Sequence, residues 1–534
     1  MNKLSLIVVL LVFSITLTAQ KHYERLAAID IQSYKFHISI NDDNDEMKGK
    51  ADISLLSKKN QNEIYLDLVA VNEEGKGMRV NSISSNGSEI EFTQSGEKLT
   101  IKPSESFKAD TEYHFVIEYG GIPQDGLVIG ENKFGDRTFF GDNWPNRARH
   151  WLPTVDHPSD KAFVEFIVTA PNHYQVIANG YLVEETDLEE DFKLTHWKTD
   201  VVLSTKLMVI GVAPFAVQYL GNVQGVPMSS WIFTKDRENG FYDYSQATGI
   251  LDWFIGHVGP YPYAKLANVQ SKTRYGGMEN AGNIFYYEFS VTGNREIEGL
   301  LAHEIAHQWF GNSASEANWH HIWLSEGFAT YLTNLYMEFR YGSDRNKEMR
   351  ETQKNAILRF MRQRNVPIVD TSVENYNKLL NANSYQKGGW VLHMLRTKVG
   401  DEAFWKGIQT YYKKYQHSNA LTEDFRDVMA KITDTNLDQF FQQWIYWPGM
   451  PELNVDWSYD AKGQELTFTI NQLQEQGTYE FDLEVDFIDA EGEVIASELF
   501  STDDKTKTFT VKNIETKPSS FLLDPNTDLL FIVK

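Results

Sequence analysis

His303-Glu304-Ile305-Ala306-His307 is followed, nineteen positions after its second histidine, by Glu326. On a helix, positions i and i+4 share a face, so the two imidazoles can point at a single ion. Glu304 lies between them and can reach a metal-activated water without taking a coordination position. A carboxylate from a second helix, Glu326, completes three protein ligands and leaves a fourth position open, the arrangement of a catalytic rather than a structural zinc. The flanking residues support a helix: Ile297, Leu300, Leu301, Ile305 and Phe310 fall at helical spacings, and Gly311 offers a stop. Glu326-Gly327, followed by Phe328, Ala329, Tyr331 and Leu332, predicts the second, partly buried helix.

Three further stretches carry polar chemistry. Tyr275-Gly276-Gly277-Met278-Glu279-Asn280 lies ahead of the zinc helix. Adjacent glycines let backbone approach a ligand and a neighbouring carboxylate can receive a cation, although a glycine turn with a solvated glutamate explains the same letters. Ser384-Tyr385-Gln386-Lys387-Gly388-Gly389-Trp390 opens a helical run. A tyrosine hydroxyl beside zinc can donate to an oxyanion, whereas alone Tyr385 reads as a half-buried packing tyrosine. Arg147-Ala148-Arg149-His150-Trp151-Leu152-Pro153, with Asp156-His157-Pro158, is unusually polar and aromatic for its surroundings and reads as an inter-domain contact.

The bulk properties bound the class. A chain of 534 residues exceeds one ordinary core, and 42% hydrophobic with 23% charged residues fits a soluble globular protein. A net charge of −24 argues against nucleic acid or an anionic membrane as partner. Met1-Asn2-Lys3, the nearly all-apolar Leu4–Leu17 and Thr18-Ala19-Gln20 read as a signal peptide over residues 1–20. No later stretch reaches membrane-spanning length. The chain has no cysteine, so disulfides and thiolate ligands are excluded and a metal must be held by nitrogen and oxygen. Export without disulfides points to a periplasmic or secreted bacterial protein.

Alternating runs such as Tyr34, Phe36, Ile38, Ile40 and Tyr113, Phe115, Ile117, Tyr119 predict an N-terminal all-β domain, bounded at 21–225. The period then changes. From near Asn239 to about Trp447 the chain reads as successive helices, including 241–258, 296–310, 325–339, 385–399 and 422–432, within a catalytic domain bounded at 226–448. After Pro448-Gly449-Met450-Pro451 alternation returns in Leu466, Phe468, Ile470 and in Phe481, Leu483, Val485, Phe487, predicting a β-sandwich over 449–534.

Together these pieces resemble the gluzincin zinc aminopeptidases, the family of aminopeptidase N and leukotriene hydrolase. The resemblance covers nearly the whole chain beyond the signal in domain order and is strongest in residues 303–312 and 323–329. It implies a multidomain α+β fold: a saddle-like all-β domain, a thermolysin-like, mainly helical catalytic domain, and a C-terminal β-sandwich. It implies one Zn2+ on His303, His307 and Glu326, Glu304 as general base and Tyr385 as transition-state donor. It also implies a substrate strand at Gly276, Gly277, Met278, Glu279 and Asn280, with Glu279 on the free α-amino group of an oligopeptide. Two departures stand out. The expected form is a short, three-domain bacterial one without the large helical C-terminal domain, hence with a more open cleft. The β-domain position of a second amine anchor is occupied by Gly141-Asp142-Asn143-Trp144-Pro145-Asn146, without glutamine or glutamate, and neither Asp142 nor Asn143 is assigned that role. Two alternatives stay open: an endopeptidase of thermolysin type, and a non-catalytic peptide-binding protein on the same fold. His320 and His321 read as surface or supporting residues, not ligands.

Overall fold

The computed structural model describes residues 27–534; the expected signal peptide, 1–20, lies outside the described residues. Contacts divide the chain into two compact units, Met1–Asp252 with Tyr261–Gln308, and Trp253–Pro260 with Trp309–Lys534.

In the first unit the predicted strands assemble into a nine-stranded sheet. Its central strands are Ile29–Ser39, Met47–Ser57 and Thr111–Ile122, flanked by Lys161–Pro171 on one side and Gly77–Ser85 on the other. Alternation sets the register: Tyr34 pairs with Ile53 across an antiparallel ladder and with Val164 across a parallel one. Tyr34, Phe36, Ile38, Ile53, Phe115, Ile117 and Val164 are thereby all buried on one face. A four-stranded sheet, Gln175–Ala178, Ile210–Ala213, Arg137–Gly141 and Leu127–Glu131, and a three-stranded one, Ile64–Asp67, Lys98–Lys102 and Glu91–Ser95, complete the β region.

The run of helices expected from about Asn239 is interrupted by strands of a five-stranded mixed sheet. Its order is Phe215–Val223, Val226–Phe233, Leu266–Ser271, Asn283–Tyr287 and Gly277–Met278. Residue 225 is the turn of the first hairpin, a glycine at φ +89°. The strands at 266–271 and 283–287 are buried on both faces, so they carry no alternation and resemble short helix segments in sequence. The helix expected at 241–258 is two helices, Arg237–Tyr244 and Ala247–His257. The zinc-motif helix spans Glu298–Ala306; it buries Leu301, Ala302, Ile305 and Ala306, and carries Glu298 in its first turn, where the helix dipole favours an acid. It stops before His307, short of Gly311.

The second unit holds the other long helices, Trp323–Tyr341, Ser343–Gln363, Gly388–Val399, Asp401–Tyr415 and Thr422–Thr433. Trp323–Tyr341 runs its whole first half buried and ends at Gly342, whose φ of +91° an L-residue rarely adopts. The C-terminal strands pair into a four-stranded and a three-stranded sheet around Phe468, Phe487, Phe500, Phe509 and Phe521, the predicted sandwich. The linker before it is fastened by Lys387, whose buried Nζ donates to the Gly449 carbonyl at 2.8 Å.

Candidate metal centre and active site

One helix presents both histidines. His303 lies on its last full turn and His307 caps its C-terminus with helical φ and ψ, so the i, i+4 relation survives the helix end. Their Nε2 atoms face each other at 3.1 Å. Two nitrogens on one tetrahedral zinc, each at about 2.0–2.1 Å, stand roughly 3.3 Å apart, so this pair fits the ion. One ligand atom from each of His303, His307 and Glu326 lies within 4.8 Å of the others, the only such group among the described residues. Two imidazoles and a carboxylate, without thiolate, make the open N2O donor set of a catalytic zinc. His320 and His321 are not part of it. His320 sits against the Val373 carbonyl and Asn318, and His321 against the Thr422 hydroxyl at 2.8 Å, with burial pulling its imidazole down to about 4.

Glu304 is 5% exposed and faces the edge strand Gly277–Met278. An added Cβ at Gly277 would meet Glu304 Oε1 at 2.3 Å, so the absence of a side chain at 277 makes room for the carboxylate. Across the ladder from Gly277 lies Tyr286, fully buried, with its hydroxyl donating to Asn268 Oδ1 at 3.1 Å. Burial and then the Glu304 charge push this phenol well above its ordinary range, so it stays neutral beside the carboxylate.

The five residues of the expected substrate strand divide in two. The Gly276 and Gly277 backbones reach the surface, while Met278, Glu279 and Asn280 are buried. The Asn280 carbonyl accepts from Asn283 N–H at 2.9 Å, closing a tight turn after Glu279. That turn is held by Gln308, the residue directly after the second histidine of the zinc motif. Its Nε2 donates to the Glu279 carbonyl at 2.8 Å and its Oε1 accepts from Gly282 N–H at 2.8 Å. The only sequence signal was a polar residue amid the apolar positions that close a helix.

Tyr385 is half-buried in a π-helical turn, Asn383–Lys387, where Lys387 N–H reaches back five residues to the Ala382 carbonyl at 2.8 Å. Such turns are rare and recur at functional sites. The turn continues into Gly388–Val399, which crosses the Glu326 helix where both are smallest: a Cβ on Gly327 would lie 2.9 Å from the Gly388 carbonyl carbon. This contact brings the turn that carries Tyr385 onto the helix immediately after Glu326.

The polar stretch at 147–158 also divides. Arg149 pairs with Asp156, Glu97 and Asp67 inside the β region. Arg147 pairs with Asp142 and Asp125, and Asp125 accepts from Arg274 at 2.6 Å, just ahead of the Gly277–Met278 strand. Asp142 is fully buried in these contacts and burial raises its pKa. Asn143 spends its amide on the Met208 and Thr205 carbonyls and on Trp151 Nε1. Both side chains are therefore committed, and neither is a second amine anchor.

Residues 30–207 match the Peptidase M1 N-terminal domain and residues 242–444 the Peptidase family M1 domain. The chain belongs to peptidase family M1. Among its relatives are a probable aminopeptidase 2 of Sulfurisphaera tokodaii, 27% identical over 80% of this chain and 55% of its own length, and a leucyl aminopeptidase of Saccharolobus solfataricus, 25% identical over 80% and 54%. The glutamyl aminopeptidase of Bos taurus is 26% identical over 67% of this chain and 40% of its own length. The chain thus spans about half the length of these relatives. A solved M1 zinc metallopeptidase from Deinococcus radiodurans, in a variant bound to a Tyr-Ser-Ala substrate, shares the fold with a TM-score of 0.69 at 23% identity, over 79% of this chain and 95% of that one. His303, His307 and Glu326 are the residues that would hold a zinc ion, and their donor set fits it.

Proposed function

We propose that the chain is a zinc-dependent aminopeptidase that removes the N-terminal residue of oligopeptides. The observation that carries this reading is the fit of Gly277 against Glu304, with Glu279 the first residue past the end of the Gly277–Met278 strand. Zinc, when bound, supplies a Lewis acid for the scissile carbonyl and lowers the pKa of water to about 7. Glu304 accepts the proton of the attacking water and returns it to the departing amine. The Tyr385 hydroxyl donates to the oxygen on which charge develops, a contribution typically of ~10²–10³ in rate. Glu279 receives the substrate ammonium, so that the first bond rather than an internal one is presented to Glu304. The relatives' printed activities, glutamyl and leucyl aminopeptidase among them, agree with this chemistry and leave the preferred side chain open.

The test compares an aminoacyl chromogenic amide with its N-acetylated counterpart, using zinc-loaded protein. Rapid hydrolysis of the first alone, lost on chelation and restored by zinc, is expected; equal cleavage of both would identify an endopeptidase. We also propose that the protein acts outside the cytoplasm, on the strength of the apolar run Leu4–Leu17. Cell fractionation with N-terminal sequencing checks this, and an intact Met1 on cytoplasmic protein would contradict it.

A further inference from the structure

We infer that Gln308 is a positioning residue that sets the spacing between Glu279 and Glu304, and so fixes how far from the scissile carbonyl an accepted amine can lie. The inference rests on the aminopeptidase reading above. Gln308 follows the second histidine of the zinc motif and is 0% exposed. Its backbone N–H donates to the Ile305 carbonyl at 3.1 Å, so its own position is fixed to the end of the zinc helix. Its side-chain amide spans the turn after the substrate strand. Nε2 donates to the Glu279 carbonyl at 2.8 Å and, more weakly, to the Glu304 carbonyl at 3.4 Å. Oε1 accepts from Gly282 N–H at 2.8 Å and from the Tyr261 hydroxyl at 3.3 Å.

These partners admit one orientation of the amide. A backbone N–H on one side and a carbonyl on the other can be satisfied together only by Oε1 and Nε2 as placed. Both ends of the turn are thus pinned to one side chain. The far end is pinned again, because the Gly282 carbonyl accepts from Lys265 Nζ at 3.2 Å, and that ammonium also donates to the Ala178 carbonyl at 2.9 Å. Glu304 and Glu279 therefore do not float relative to one another: the helix that carries the first holds the backbone of the second through Gln308. In an α-aminoacyl substrate one carbon separates the ammonium from the scissile carbonyl. A β-aminoacyl substrate inserts one more methylene, which a pinned turn rejects and a loosened turn tolerates. Misplacement by about 1 Å at such a site can change rates 10²-fold.

The experiment uses the full chain, zinc-loaded, with α-alanyl and β-alanyl p-nitroanilides as probes. Gln308→Met removes the bridge while keeping length, and Gln308→Asn keeps an amide one methylene too short to reach. Zinc content and thermal unfolding are measured for each. The expected result is that the ratio of kcat/KM for α- over β-alanyl substrate falls at least about tenfold, with zinc still one per chain. A general loss of structure would lower both substrates in parallel, so an unchanged ratio in a zinc-loaded variant overturns the inference. Failure of both variants to hold zinc also overturns it, since Gln308 would then build the metal helix and not the spacing. Glu279→Ala separates this from the underlying reading. If that variant still discriminates free-amine from N-acetyl substrates as the wild type does, the amine anchor is wrong. If it loses discrimination while the Gln308 variants keep their ratio, only the role of Gln308 fails.

Discussion

A methyl group at the Cβ position of Gly277 would stand 2.3 Å from Oε1 of Glu304 and 2.6 Å from its Cγ. The obstructed atoms run from Oε1 back to Cγ of one side chain and include no backbone, so Gly277→Ala is accommodated by moving the whole Glu304 side chain. Stability should change by less than about 1 kcal/mol, while kcat falls roughly 10²-fold because the proton acceptor is displaced. Steady-state kinetics with calorimetry check this. Loss of fold in step with activity would show that the glycine serves packing alone.

Glu304→Gln preserves shape and leaves the three ligands untouched. Zinc should remain at one per chain by elemental analysis, and kcat should fall by roughly 10²–10⁴ through loss of proton transfer. Activity within a few-fold of wild type would remove Glu304 from the mechanism.

Gly327→Ala acts elsewhere. Its Cβ would meet the backbone of Gly388 at 2.9 and 3.0 Å, and backbone cannot step aside as a side chain can. Forcing these helices apart should cost about 1–3 kcal/mol of stability. It should also weaken zinc binding, because Glu326 is the preceding residue. Thermal unfolding and competition with a chelator measure the two effects. An unchanged zinc affinity would mean that the crossing does not position the ligand.

Lys387 carries a pH dependence. It is 0% exposed and burial pulls its ammonium down to about 7, well below the roughly 10.4 of an unfolded lysine. Between those values the unfolded chain binds the extra proton, so this residue makes stability rise with pH from about 7 towards 10 and fall again as pH drops to 7. Below 7 both states are protonated and the dependence ends. Lys387→Met removes it. The melting temperature of the variant relative to wild type should be most favourable at pH 6.5 and decline by pH 9.5. A difference independent of pH would contradict a buried titrating lysine.

Much of the zinc site was legible as letters, because helix geometry converts the spacing of His303 and His307 into a shared face, and no neighbour is needed for that. The C-terminal sandwich was legible for a similar reason: strands with one solvated face alternate visibly, as at Phe481, Leu483, Val485 and Phe487. The five-stranded sheet was not. Leu266–Ser271 is covered on both faces, so its sequence lacks the alternation that would have marked it.

Residue identity and local periodicity were enough to set the donor types of the metal site, the acid between the histidines and the order of β, helical and β regions. That Gly277 makes room for Glu304, that Gly327 and Gly388 let two helices touch, and that Gln308 holds the Glu279 turn came from the folded chain alone. Folding also committed Asp142 and Asn143 to neighbours, which the letters had left open. Each of these is a contact between segments distant in sequence or folded back on one another. Local propensity carries no information about which empty Cβ position or which buried carbonyl will lie across the gap; packing does.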